Sequence, residues 1–250
     1  MLRVRRFVVF SLFVACASAV FSFWVIGQAG ADARVALSPP PRALVTLETG
    51  TGGMTTAVDV TRSPDAEWLR AASAETGIPA RALRAYVAAA VTANGSMPQC
   101  RIGWNTLAAV GFVESGHGTY GGGSLDALGQ ASGPIVGPSL NGSGFAAIPD
   151  TDAGALDGDA NWDHAVGPMQ FIPSTWRLAG RDGNGDGTAD PFNIDDAALS
   201  AATYLCDRGR DLTTAQGWTD AIYAYNQSDA YIRKVRAQAT AYATKTGTPD

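Results

Sequence analysis

A mainly helical domain with one long glycine-rich wall is the fold class the sequence predicts, and three observations predict it. After residue 63 the apolar residues recur at helical spacing in segment after segment, each bounded by helix start and stop signals. No long alternating strand is present. About fifty residues, 119–165, break the helical pattern with dense Gly around Ile135, Val136, Leu140, Phe145 and Ile148. A stretch of that length without its own structure is uncommon in a compact domain unless it is functional, so it is expected to form a substrate wall, with room for a short hairpin.

The elements follow in order. At 250 residues with 46% apolar content the chain suits one or two domains and a sizeable core. Residues 7–26 are apolar after Arg3, Arg5 and Arg6, a run of the ~20 residues that span a bilayer, so residues 1–27 are read as a signal peptide or an uncleaved membrane anchor. Ala29, Ala31 and Ala33 offer cleavage sites, and either outcome exports the remainder, secreted to the cell wall or anchored in the cytoplasmic membrane. Cys16 suggests a lipoprotein site only faintly, because the apolar run continues beyond it. Residues 28–62, rich in Pro, Gly and Thr, are read as a flexible linker, and 63–250 as the working domain.

Ser63 and Pro64 mark a first helix ending at Gly77; Pro79 opens a second through Leu83, Tyr86, Val87 and Ala90, closed by Asn94-Gly95. Helices are expected again over 173–179, 197–207, 216–225 and 229–243. Between the second helix and the wall lies IGWNTLAAVGFVESGHG, residues 102–118, where Leu107, Val110, Gly111 and Glu114 share one helical face. A carboxyl on a buried stripe is desolvated, its pKa rises, and it becomes a general acid near neutral pH. The glycines at 116 and 118 end the helix and leave Glu114 in its last turn; the plainer reading is a helix-terminal Glu with a local hydrogen bond.

Composition narrows the chemistry. Net charge is −5 with no basic stripe, which argues against nucleic acid. His117 and His164 are too few for a typical zinc site without carboxylates, and neither a GxSxG elbow nor a glycine-rich phosphate loop occurs. Of four Glu, only Glu114 falls outside the linker and the first helix, so a carboxylic acid working largely alone remains, with no cofactor for catalysis. His117 reads as a structural neighbour of that acid more than as a base. In an oxidising compartment Cys100 and Cys206 read as one disulfide, the alternative being two buried thiols.

Four motifs in register carry a resemblance: VESGHG at 113–118, AVGPMQFIPSTW at 165–176, DGNGDGTADPFNIDDA at 182–197 and YNQSDAY at 225–231. In this order they resemble the B-type lytic murein transglycosylases, in their actinobacterial branch. The resemblance implies an α+β lysozyme-like fold and, as partner, the glycan strands of peptidoglycan, cut between N-acetylmuramic acid and N-acetylglucosamine with a 1,6-anhydro end. By that resemblance Glu114 is the catalytic residue, Gln170 and Phe171 line the groove, Asn226 orients the N-acetyl group and Tyr231 orients Glu114. Asn161 stands where the family has Ser. The competing expectations are a lysozyme-like hydrolase and a non-catalytic peptidoglycan-binding scaffold.

Asp182-x-Asn184-x-Asp186-Gly187 opens like a calcium loop, but position twelve is Asn193 where an ordinary EF-hand has Glu. The related family loop is longer and closes on Asp-Ala, here Asp196-Ala197. Asp182, Asn184, Asp186, the backbone of Thr188, and Asp196 are therefore the expected ligands of a structural Ca2+, against a metal-free loop rich in Asx turns.

Overall fold

The structure, a computed structural model, describes residues 36–43 and 64–247. The expected signal peptide or anchor at 1–27 and most of the expected linker lie outside the described residues. Among the described residues there are seven α-helices, α1 (Ala66–Thr76), α2 (Ala80–Ser96), α3 (Trp104–Ser115), α4 (Pro173–Ala179), α5 (Ile194–Cys206), α6 (Ala215–Tyr225) and α7 (Asp229–Thr246). One antiparallel pair, β1 (Val136–Ser139) and β2 (His164–Val166), lies inside the glycine-rich stretch. The fold is mainly helical with a small sheet, consistent with the α+β lysozyme-like fold that the resemblance implies. No helix among the described residues is long and apolar enough to cross a membrane.

Several boundaries differ from the sequence reading for local reasons. Asp65, not Ser63, caps α1, its Oδ1 accepting from the amides of Glu67 and Trp68. Asn94 does not close α2, because its side chain is spent on the backbone N–H and C=O of Ile102 and the helix runs on to Ser96. The helix expected from residue 197 starts at Ile194, since Asn193 caps it through the amide of Asp195. α7 continues past residue 243 to Thr246.

The largest correction concerns α3. It has no buried stripe opposite a solvent face, because every residue of the helix but Phe112 is buried. A helix buried all round must run through the middle of the molecule, and α3 packs against both α2 and α7. Trp104 at its start stacks on Tyr242 and meets Trp68 edge-on.

Alanines make the rest of the core thin enough to close. Ala82, Ala85 and Ala89 of α2 and Ala197, Ala198, Ala201 and Ala202 of α5 are buried where the two helices pack together. Arg81 pairs with Asp195 across that contact. Cys100 and Cys206 are joined in a disulfide across 106 residues, tying the turn before α3 to the end of α5. A loop of that length is worth ~4–5 kcal/mol in the chain-entropy model.

Within the stretch read as a linker, residues 36–43 lie on the domain. The three prolines at 39–41 have no N–H to satisfy, so at this end the backbone needs a donor for the Pro41 carbonyl and an acceptor for the Ala43 amide. Buried Asn105 supplies both: its Nδ2 donates to Pro41 O (2.9 Å) and Ala239 O (3.0 Å), and its Oδ1 accepts from Ala43 N (3.2 Å). Thr219 Oγ1 accepts from Leu37 N, and Arg236 Nε donates to Ser38 O.

Candidate active site

Glu114 sits in the last turn of α3, and the way the helix ends fixes where its carboxyl lies. Gly116 takes the left-handed conformation at φ 59°, followed by His117 at φ 63°. Their amides return to Phe112 O and Gly111 O, each at 3.0 Å, which terminates the helix. Ser115 Oγ donates to Pro168 O (2.6 Å) and accepts from Gly118 N (2.7 Å), so the helix end is stitched to the turn that follows β2.

His117 is buried and occupied at both nitrogens. Its Nδ1 meets Tyr86 Oη at 3.1 Å and its Nε2 meets Tyr242 Oη at 3.0 Å. Burial lowers its pKa to about 4, so the ring is neutral at physiological pH. It pins the exit of α3 to α2 and α7, as the structural reading expects. Gly111 is required by this packing, because a Cβ there would meet Tyr86 Oη at 2.1 Å.

Glu114 is 6% exposed, and the hydroxyl of Tyr231, in the first turn of α7, donates to its Oε1 at 2.5 Å. Burial raises the carboxyl's pKa to about 8, with the Tyr231 bond pulling weakly the other way. Tyr231 itself is pushed well above its ordinary value, first by burial and then by Glu114, so it remains a donor. The site thus holds a protonated carboxylic acid at neutral pH beside a fixed hydroxyl.

Gln170 lies on the tight turn between Val166 and Phe171, which pair through both backbone bonds. Gly167 opens the turn at φ 75°, and a Cβ there would meet Pro191 O at 1.8 Å, so both conformation and space demand glycine. Gln170, itself at φ 51°, donates from Nε2 to Gly167 O (3.0 Å) and is 8% exposed. Tyr225 Oη donates to Met169 O (2.8 Å), fastening the turn to the end of α6.

Phe171 is 3% exposed and packs edge-on against Trp176 and Tyr225, so most of the ring is core and only a small part of it reaches the niche beside Gln170. Asn226, the residue that ends α6, is completely buried, and neither its Oδ1 nor its Nδ2 has a hydrogen-bond partner. Such an amide costs about 1–3 kcal/mol until something bonds it. Asn161 is exposed, and its side chain bonds only Asp159 of its own loop.

The structure therefore brings Glu114 and Tyr231 into contact and ties Gln170 to their surroundings through Ser115 and Tyr225. Residues that sequence reasoning passed over complete the walls. Tyr204 and Thr175 join Gln170, Phe171, Ile172 and Tyr225 around a niche of about 20 Å³, room for about one water. A wider groove of about 530 Å³ runs between 118–123 and 131–136, beginning four residues beyond Glu114 and bordered by Tyr120. Tyr225 stands in the motif YNQSDAY, which was the available signal; Tyr120 and Tyr204 had none.

In the acidic loop every carboxylate oxygen already accepts a hydrogen bond. Asp182 takes the amides of Gly185, Asp186 and Gly187; Asp186 takes Thr188 N and Asn184 Nδ2. Asp196 is buried and takes Gly183, Asn184 and Asp190. Burial foremost, with a contribution from the nearby Asp182, raises the pKa of Asp196 despite those amides. The donors are the hard oxygens calcium prefers, and the mutual repulsion of Asp182 and Asp196 is what a cation would relieve. The loop also closes on itself through its own amides, so the geometry accommodates both expectations.

Residues 146–219 match the model of a protein family described as the Transglycosylase SLT domain. That stretch covers the later part of the wall, the Gln170 turn, the acidic loop, α5 and the start of α6; Glu114, Asn226 and Tyr231 lie outside it. No curated protein and no solved structure matches the chain.

Proposed function

We propose that this chain is a peptidoglycan lytic transglycosylase of the B type, with Glu114 acting first as acid and then as base. One observation carries the reading: a lone carboxyl, buried at a helix end and protonated near neutral pH, is held by a tyrosine hydroxyl. Burial and Tyr231 are the influences on Glu114 among the described residues; no second carboxylate contributes. A glycosidase that places two carboxylates across the bond is therefore poorly served, whereas substrate assistance needs only one protein acid.

Glu114 donates its proton to the glycosidic oxygen as the C1–O bond breaks, and the sugar's own N-acetyl group supports the cationic C1. The resulting carboxylate takes the proton of the muramic acid C6 hydroxyl, whose oxygen then closes on C1. Tyr231 keeps the carboxyl oriented through both transfers; the unbonded amide of Asn226 is sealed from solvent, so it meets an N-acetyl group only if the end of α6 opens. Gln170 borders the niche. The N-terminal apolar segment delivers the domain to the wall, as a cleaved signal or as an anchor.

Mass spectrometry of products from purified murein tests activity and reaction type together. Anhydro-muropeptides should dominate, and a majority of reducing ends would replace this reading with that of a hydrolase. Glu114→Gln should lower cleavage at least a thousandfold, within the range that general acid–base catalysis supplies; activity within tenfold of the parent removes Glu114 from the mechanism.

A structural calcium ion in the acidic loop belongs to the same proposal, held by Asp182, Asn184, Asp186, Thr188 O and Asp196. Millimolar calcium should raise the melting temperature, and Asp182→Ala with Asp186→Ala should remove most of that shift. An unchanged response in the double variant would leave the loop metal-free.

A further inference from the structure

We propose that His164 is a positioning residue of the candidate site, a protonated clasp that holds β1 against β2 and so fixes the strand on which the Gln170 amide rests. The imidazole faces an acceptor on each side. Its Nδ1 lies 2.7 Å from Gly137 O on β1, and its Nε2 lies 3.3 Å from Asp159 Oδ2 in the loop before β2. A neutral imidazole carries one N–H and can donate to only one of them, whereas the imidazolium donates to both. Asp159 is aimed at the ring by Asn161, whose backbone N and Nδ2 both donate to Asp159 Oδ1. Those bonds from Asn161, with the one from His164, hold the Asp159 carboxyl below the usual carboxylate range, so it stays an acceptor.

The charges around the ring favour the same state. The backbone N of His164 donates to Asp157 Oδ2 at 2.7 Å, which brings a second carboxylate beside it. Segments 136–139 and 157–171 hold no Lys or Arg, and their other titratable groups are Asp157, Asp159 and Asp163. Asp163 is spent on Thr151, through its N–H and its hydroxyl. Partial burial alone would lower the pKa of His164, but the bonds to Gly137 and Asp159 and the charges of Asp157 and Asp159 raise it above its ordinary value.

Gly137 is where the clasp reaches Gln170. A Cβ at residue 137 would meet Gln170 Oε1 at 2.7 Å, so the amide oxygen rests on the strand at the residue whose carbonyl the ring holds. The other end of the amide is tied to Gly167 O, and Gly167 N donates to Ile135 O at 2.8 Å, one residue before β1. Both supports of Gln170 therefore depend on where β1 lies. The ladder is regular at Val136 with Val166 and at Ser139 with His164, but irregular between them, where Gly137 sits. There the imidazole holds the strand, and the clasp loses one of its two bonds as pH rises through the pKa of His164.

Nitrogen-15 NMR of the chain tests this, because His117 is the only other histidine and burial keeps it neutral. Both ring nitrogens of His164 should carry protons at about pH 6, and the Gln170 side-chain amide should shift with the same midpoint as that ring deprotonates. His164→Gln should abolish the Gln170 shift, and Asp159→Asn, which keeps the ring, should lower both midpoints together. A His164 ring that is neutral at about pH 6 overturns the proposal, as does a Gln170 amide that ignores the titration. The kinetic consequence rests on the transglycosylase reading: on soluble glycan strands at about pH 6, His164→Gln should raise KM roughly threefold or more and leave kcat within about twofold, since Glu114 is untouched. An unchanged KM also overturns the clasp. A chain whose Gln170 follows His164 but which cuts no glycan removes the transglycosylase reading and retains the clasp.

Discussion

Glu114 and Asp196 are both buried carboxyls at helix ends, and they are solvated by opposite means. Glu114 lies at the C-terminal end of α3 and receives one bond from a neutral hydroxyl. Asp196 lies in the first turn of α5 and receives three backbone amides. The helix dipole disfavours an anion at the first place and favours it at the second. Burial raises both pKa values, and for Glu114 the rise, to about 8, keeps the proton at neutral pH. Loop amides make an anion structural, and their scarcity around Glu114 leaves an acid with a proton to give.

The sharpest way to break that contrast is Asp196→Ala, which strands three amides in a buried loop. It should cost about 3–5 kcal/mol, in the range for removing one partner of a buried charged network. Urea unfolding measures it, and a loss below the cost of a single hydrogen bond would mean that the amides find water instead.

Glu114→Gln should act in the opposite direction. The folded chain holds a proton on Glu114 up to about pH 8, whereas the unfolded chain releases it near 4.5. Stability from this group is therefore full below pH 4.5 and is lost as pH rises to about 8. At pH 8.5 the Gln variant should exceed the parent by roughly 4–5 kcal/mol, and the two should converge near pH 4. His117 contributes with the other sign, since its lowered pKa removes stability as pH falls from 6.5 towards 4, in parent and variant alike. Parallel pH profiles for the two chains would show that Glu114 is ionised in the folded protein.

The smallest effect is expected from Tyr231→Phe. Its hydroxyl is the one influence that lowers the pKa of Glu114, so its loss should move the alkaline limb of the murein-cleavage profile upward. Stability should fall by about 1 kcal/mol, the net worth of a single hydrogen bond. A limb that moves downward would remove Tyr231 as the group that orients the acid.

How much of this was legible in the chain itself varies by residue. The seven helices, the glycine-rich wall with its hairpin, the pairing of Cys100 with Cys206, and Glu114 in the last turn of its helix all follow from spacing and composition. Apart from the bridge, which follows from an even cysteine pair in an oxidising compartment, those are consequences of local backbone chemistry: caps, prolines, glycines and a 3.6-residue period act within a few residues and are written in order. What Glu114 experiences is decided otherwise. The sequence suggested a half-buried stripe, but α3 is enclosed on all sides, because α2 and α7 arrive from residues far away and cover it. Phe171 looked like a sugar platform and is mostly core, since Trp176 and Tyr225 close over it. Pro39–Pro41 looked like linker, yet Asn105 holds residues 36–43 against the domain. His164 carried no sign of its partners, and only the folded wall sets Gly137 and Asp159 against its two nitrogens. Desolvation and contacts between distant residues depend on what the rest of the chain brings near, and that information is present only after folding.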